Sequence, residues 1–461
     1  MIKYRIVITC MCFTIAAVLP VYGQQQKENS LGILWSKVAG YYPGIGAKQS
    51  AVDASKLHER AVKSEMLPQL KAQMQNSYGT YEGSSGAFFP QPGFFNVSGS
   101  GSPIAGSSTS ANSFASTTME WEIFSFGKRQ KDNEAAKSLT HKTLSEKEAY
   151  LLQLKKILSE RYINLLYNDA KLNLSQRNTE RLDSIRGITT GLSVAGLRPA
   201  ADSLLASSSY VQAMGEYDKW NGVKSASFIK LLELYGADSV DFSASAIRFI
   251  DPLGNQQNNG SIIQASHPIL EALDRESEYY TLSGEAQKRA SLPSLNILGG
   301  YAYRGTGIQP NGTVSGNWKD GFSNTTNNFL VGIGITWNLT SIRTNHYKGE
   351  QFFKEAEGAK LLHSQYEKAM QANLSAAQTE ILHQFEQLQK TKLAVRQSQD
   401  AYCMYLARYK SGLITLSELL QVRTLLEQSE NIHVQASRDY WLLLASEAAL
   451  TADFEFLFNN L

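Results

Sequence analysis

The sequence predicts a mainly α-helical chain that continues into a membrane β-barrel, laid out as two copies of one unit. Three observations predict it. Tyr42-Pro43 and Leu67-Pro68 return as His267-Pro268 and Leu292-Pro293 225 residues later, while Trp121 and Gly196-Leu197 return as Trp337 and Gly412-Leu413 216 residues later. Each copy holds two segments that alternate in polarity with period two, as strands do. Each then changes to a seven-residue apolar repeat over a long proline-free stretch. The offset falls by 9 between Leu70 and Trp121, which puts the length difference in a loop between two strands.

In chain order, residues 1–23 read as a secretory signal: Lys3 and Arg5, then the apolar run from Ile6 to Leu19, then Val21 and Gly23 before a cut at Gln24. That run is short for a helix that must cross ~30 Å of hydrocarbon. Residues 24–235 form the first copy and 267–461 the second, with a linker rich in Ser, Asn and Gln at 236–266. Short helices over 44–66 and 269–291 are stopped by Pro68 and Pro293, which turn the chain extended.

Four strands are expected, at 69–81, 114–124, 294–303 and 328–339. On the second, Met119, Trp121 and Ile123 face away from Thr118, Glu120 and Glu122; on the fourth, Phe329, Val331, Ile333, Ile335 and Trp337 face away from Asn328, Gly332 and Gly334. An ordinary half-buried sheet alternates in the same way. The connecting segments favour a barrel. Residues 82–113 and 304–327 are long, polar and rich in Gly, Ser and Asn, like the outer loops of membrane barrels. The apolar faces named above are therefore expected to face lipid, with Tyr78, Tyr81, Trp121, Tyr301, Tyr303 and Trp337 as interfacial aromatics. Four strands cannot close around a pore, whereas three chains would bring twelve.

Beyond each strand pair lies a helical hairpin, at 127–235 and 343–456. Leu144, Leu151, Leu158, Leu165 and Leu172 recur every seven residues, as do Leu374, Ile381, Leu388, Val395, Tyr402 and Tyr409. Such heptads predict coiled-coil packing along helices of ~100 Å. Gly191, Gly196-Leu197 and Gly412-Leu413 mark the reversals, since glycine accepts the positive φ a reversal needs. Gly187 and Gly191 are expected to fray the end of the first long helix. Asp202 and Glu418 fall where acids favour the start of the return helices, and an open mouth there would also place them near its lumen.

Composition excludes several classes. With Lys3 and Arg5 removed from the 44 basic residues, 42 remain against 42 acidic ones, so no basic face points to nucleic acid. After the apolar leader no run is long enough for a membrane helix. Cys403 alone follows the leader, so no internal disulfide can form in the mature chain. The seven histidines are scattered, and no catalytic, cofactor or metal site is expected.

The leader, the paired Pro motifs, the run Trp121-Glu122-Ile123-Phe124-Ser125-Phe126-Gly127-Lys128-Arg129, and Gly196-Leu197 with Asp202-x-Leu204 together resemble the TolC family of outer-membrane efflux proteins. The second copy shows Gly412-Leu413 with Glu418-x-Leu420 at the same spacing, but Trp337-Asn338-Leu339-Thr340 lacks a counterpart to Gly127. The resemblance implies a homotrimeric channel-tunnel in the outer membrane, reaching into the periplasm of a Gram-negative cell. It implies a passive exit duct of a tripartite efflux or type I secretion system, with a periplasmic adaptor and an inner-membrane pump as partners. Gly191, Gly196, Leu197, Gly412 and Leu413 would then form the periplasmic tip that meets the adaptor. The competing expectation is a non-channel coiled-coil envelope protein, either an adaptor or a structural factor; an adaptor carries one hairpin within β-rich domains, whereas this chain has two hairpins and four strands.

Overall fold

A computed structural model describes residues 30–80, 106, 109–236, 246–252, 262–264 and 266–461. The leader, Tyr81, most of the polar segment at 82–113 and much of the linker lie outside the described residues, apart from the parts given above. The elements are α1 (Leu31–Tyr41), α2 (Pro43–Ser64), β1 (Gln69–Thr80), β2 (Thr109–Phe124), α3 (Lys128–Val194) and α4 (Ala200–Tyr235). They continue with α5 (Ala246–Ile250), α6 (Pro268–Arg289), β3 (Ser294–Thr306), a 3-10 turn (Trp318–Phe322), β4 (Thr326–Thr336), α7 (Ser341–Lys410), α8 (Leu416–Thr451) and α9 (Glu455–Asn460). Short helix, two strands, long helix and return helix thus occur twice in that order.

Local chemistry sets these limits. Pro43 and Pro268 open α2 and α6 at positions whose N–H groups have no helical partner. β2 begins at Thr109, earlier than alternation suggests, because its first residues are small and polar yet pair in register with β1 through Tyr78↔Ala111. β4 ends at Thr336, so Trp337 and Leu339 lie past the strand. α8 ends at Thr451 rather than near 456, because Ala452 takes φ 60° and the chain turns into α9. α1 escapes the sequence pattern altogether: only Leu31, Leu34 and Val38 bury, and they do so against distant elements.

The helices form four rods. α3 packs on α2 and α4 along one side and on α6 and α8 along the other, and α6 and α8 also pack on α7. α2 with α4 has 22 and 36 residues, as does α6 with α8, against 67 in α3 and 70 in α7. Two shorter helices therefore span nearly what one long helix does, at ~1.5 Å per residue. The heptad positions Leu158, Leu165, Leu172, Leu374, Leu388, Tyr402 and Tyr409 are buried between the rods. Around the middle, α1, α5 and α9 close over a core built on Leu158, Leu165, Tyr440 and Trp441; the Trp441 indole donates to Phe249 O at 3.0 Å.

A charged tie crosses this packing. Arg181 of α3 forms a two-pronged pair with Glu430 of α8, at 2.7 and 2.6 Å, with the side chains only 14% and 7% exposed. Neither charge could sit there alone. Replacing Glu430 by Ala is expected to destabilise the chain by about 3–5 kcal/mol, since the guanidinium would stay buried and unpaired. The double change Arg181→Met with Glu430→Leu should recover most of that loss; denaturant midpoints of the purified protein measure both.

Candidate functional site

The sheet and the hairpin ends carry the residues of interest, at opposite ends of the rods. The four strands form one antiparallel sheet in the order β1-β2-β3-β4, so β1 and β4 are both edges. Leu70, Met74 and Tyr78 of β1 pair with Met119, Ala115 and Ala111 of β2. Trp121 pairs with Ile297, and Ile297 with Ile333. These residues share one face with Tyr301, Tyr303, Phe329, Val331 and Ile335, and most are solvent-exposed in the single chain. The other face carries Lys71, Gln73, Asn112, Glu120, Asn328 and Gly332, alternating with the first set.

Two of the sequence-predicted strand residues lie outside the regular pairing. The register shifts between Glu122 and Phe124, so Ile123 falls out of the pairing and Phe124 stands opposite Leu295. A bulge inserts one residue and reverses the alternation beyond it. Trp337, past the end of β4, donates its indole N–H to Ser291 O at 3.0 Å. Trp121 does the same to Met66 O, also at 3.0 Å. In both copies the indole thus fixes the turn that leads from the short helix into its strand. The repeated Trp was legible as a motif; its acceptor, 55 or 46 residues earlier, was not.

The strand-to-helix joints differ as their sequences do. Phe126 and Gly127 take φ 51° and 81°, and a Cβ on Gly127 would lie 2.2 Å from the Arg289 guanidinium, which donates to Phe126 O. In the second copy no glycine is needed, because the Asn338 side chain accepts from Ser341 N–H at 3.2 Å and from the Thr340 hydroxyl. A side-chain cap three residues ahead replaces left-handed backbone there.

At the far end, both reversals use the same hydrogen bonds. Gly196 N–H donates to Ser193 O and Leu197 N–H to Leu192 O; Gly412 N–H donates to Tyr409 O and Leu413 N–H to Arg408 O. These are paired Schellman closures with Gly196 at φ 73° and Gly412 at φ 77°. Leu197 and Leu413 are each 70% exposed, so the closures leave both side chains free. The return helices start differently. Thr415 and Glu418 form a reciprocal capping box on α8, whereas α4 starts from Pro199 with Asp202 in its first turn.

Gly191 belongs to another class. It lies inside α3, which runs on to Val194, and Leu182, Ile185 and Thr189 are buried just before it. α3 stays helical through Gly187 and Gly191, and the Thr189 hydroxyl meets the Tyr409 hydroxyl at 3.0 Å, tying α3 to α7. Arg198 completes the link. Its guanidinium donates to Ile414 O at 2.5 Å and lies 5.4 Å from the Tyr409 ring, joining the two reversals of one chain. No spacing rule pointed to Arg198; the one available signal was its place beside Gly196-Leu197, 216 residues before the residue it binds.

Among the described residues, no group of three or more His, Cys, Asp or Glu side chains could hold a metal ion, and no helix is long and apolar enough to cross a membrane. The second statement does not bear on the sheet.

Residues 263–452 match the family model described as outer membrane efflux protein. A sequence search of curated proteins finds no match. Among solved structures, the chain is similar to the outer membrane protein VceC of Vibrio cholerae, at 15% identity and TM-score 0.71 over 92% of this chain and 97% of that one. It is similar to the CmeC outer membrane channel of Campylobacter jejuni, at 12% identity and TM-score 0.71 over 97% and 93%. The MtrE outer membrane channel of Neisseria gonorrhoeae, in an open state, gives 13% identity and TM-score 0.71 over 92% and 89%. The family-model match thus covers most of the second copy. The described chain as a whole has the TolC-like channel-tunnel fold.

The two glycine classes separate by experiment. Gly191→Ala should stabilise the chain by about 0.5–1 kcal/mol, because the helix gains propensity in open space. Gly196→Ala and Gly412→Ala should each destabilise by about 1–2 kcal/mol, the strain of left-handed backbone on a side chain. Thermal midpoints and hydrogen exchange at the reversals read both. Glu418 adds a pH test: the N–H and then the hydroxyl of Thr415 hold its carboxyl below the ordinary carboxylate range. A lowered folded value means the cap contributes above the unfolded value and is lost as pH falls through the folded one. Exchange at residues 415–418 should therefore rise on acidification, and Glu418→Gln should flatten that rise.

Proposed function

We propose that this chain is the outer-membrane channel of a tripartite efflux or type I secretion system, a passive duct for cargo driven by an inner-membrane pump through a periplasmic adaptor. The observation that carries this reading is the open sheet with one exposed apolar face and two unpaired edges. In lipid, backbone groups on such edges need partners, and only closure supplies them. β1 and β4 run in opposite directions, so β4 of one copy can extend antiparallel onto β1 of the next. Three copies would make a twelve-stranded barrel wide enough for a lumen.

The rods support the same symmetry. Leu204, Leu205, Val211 and Ile229 are exposed on α4, on the β1 side of the chain, and Leu361, Leu382, Leu393 and Met404 are exposed on α7, on the β4 side. A trimer would bury one set against the other and continue twelve strands as twelve rods. The polar sheet face would then line the bore, with Met119, Trp121, Phe329, Val331, Ile333 and Ile335 towards lipid. Six reversals would gather at the periplasmic rim and present Leu197 and Leu413 to the adaptor. The Arg198 bridge would hold the two reversals of each protomer together as that rim opens or closes.

An adaptor or structural factor is the other reading, and nothing in the sheet favours it. Planar-bilayer recording of the purified protein should show discrete conductance, and native mass measurement should show trimers; a monomer without conductance overturns the proposal. Leu197→Asp with Leu413→Asp should leave trimers and conductance intact. It should weaken adaptor capture roughly tenfold or more, since burying one leucine contributes ~1.5–3 kcal/mol. Export in cells would fall accordingly.

A further inference from the structure

The segment joining β3 to β4 does not continue straight out from the sheet. Residues 307–315 first extend the ladder: Gly307 N–H donates to Ala111 O, Ile308 and Gly106 both bridge Val314, and Val314 is buried between them. The chain then folds back across the sheet. The Tyr78 hydroxyl donates to Gly316 O at 2.9 Å, and the 3-10 turn Trp318–Phe322 packs on β1, β2 and β3. A Cβ on Gly321 would lie 2.8 Å from Ala111 Cβ, and one on Gly305 would lie 2.6 Å from Gly321 O. Tyr78, Ala111 and Gly305 all belong to the apolar face of the sheet, by the register of the three strands. The segment therefore sits on the outside of the sheet and not over the face that would line a bore.

It is also firmly seated. Asn324 Nδ2 donates to Thr306 O and Ile308 O, Thr306 N–H donates to Ser323 O, and Asn317 caps the turn by accepting from Lys319 N–H. What it presents outward is aromatic. Trp318 and Phe322 meet edge to face at 5.6 Å between ring centres and are 52% and 50% exposed, with Lys319 exposed between them. Polar side chains would suffice for a loop in water. A rigid aromatic pair beside a cation, directly beyond an apolar band, matches the boundary between head groups and acyl chains.

We propose that residues 307–323 form an outward lip that seats Trp318 and Phe322 in the head-group layer of the outer leaflet, with Lys319 towards lipid phosphates, and so sets how deeply the barrel sits. The lip rests on the membrane-channel reading and adds a specific lipid contact to it. It also leaves the outer mouth clear of this segment.

Site-directed spin labelling in phosphatidylcholine–phosphatidylglycerol vesicles tests it on the full trimer, with Cys403 replaced by serine. Labels go on Trp318→Cys and on Phe322→Cys, each leaving the other ring in place, on Val331→Cys within the apolar band, and on Pro310→Cys at the exposed tip of the ladder extension. Relative to position 310, collision with oxygen over a nickel chelate should rise several-fold at 318 and 322, and further at 331. Gly321→Val, which cannot fit against Ala111, should return the label at 318 to the value at 310 while leaving 331 unchanged. Water-like values at 318 and 322 with a lipid value at 331 overturn the lip and spare the channel. Water-like values at all four positions overturn both.

Discussion

The unpaired edges of the sheet constrain everything else in this chain. β1 and β4 each expose a row of N–H and C=O groups beside an apolar face. Exposed to water, such an edge invites indiscriminate pairing. Placed in hydrocarbon, each unsatisfied group would cost several kcal/mol. The proposed closure with further copies would resolve both problems at once. It would also cover the apolar side chains on α4 and α7 that a lone chain leaves exposed.

Continuity between sheet and rods depends on how the joints are made. Three of the four passes between short helix, strand and long helix are fixed by a donor aimed at a carbonyl, Trp121 at Met66, Trp337 at Ser291 and Arg289 at Phe126, and the fourth by the Asn338 side chain accepting from Ser341 N–H. Indole and guanidinium groups suit this place because they combine a fixed donor with a large apolar or planar body. Sheet tilt is thereby coupled to rod direction.

The far end is built for limited motion. Schellman closures need only glycine and backbone, so they hold their shape without a buried core. Stiffness comes from the layer behind them, where Thr189, Tyr409 and Arg198 join two hairpins and Arg181 with Glu430 ties α3 to α8. The 307–323 segment shows the opposite solution at the other end, where glycines let a turn lie flat on the sheet.

Periodicity and repetition were enough to identify the two copies, the four strands, the long helices and both reversal glycines. Those features rest on local preference: alternation, heptads, proline stops and positive φ all act within a few residues. What depended on distant partners could not be read. α1 is helical because Leu31, Leu34 and Val38 find a core supplied by α3, α4 and α9. Ile123 is left unpaired and Phe124 stands opposite Leu295 because the pairing with β3 sets the register. Gly191, indistinguishable from Gly196 as a residue, is an ordinary helical position because Thr189 is held from across the rods. The outward course of 307–323 needed Ala111, Gly305 and Tyr78 brought together from three strands. The sequence by itself determined which segments are helix, strand and reversal, since neighbours along the chain decide that. Only the tertiary structure decided which faces meet and where loops lie, because those depend on groups that folding brings close from far along the chain.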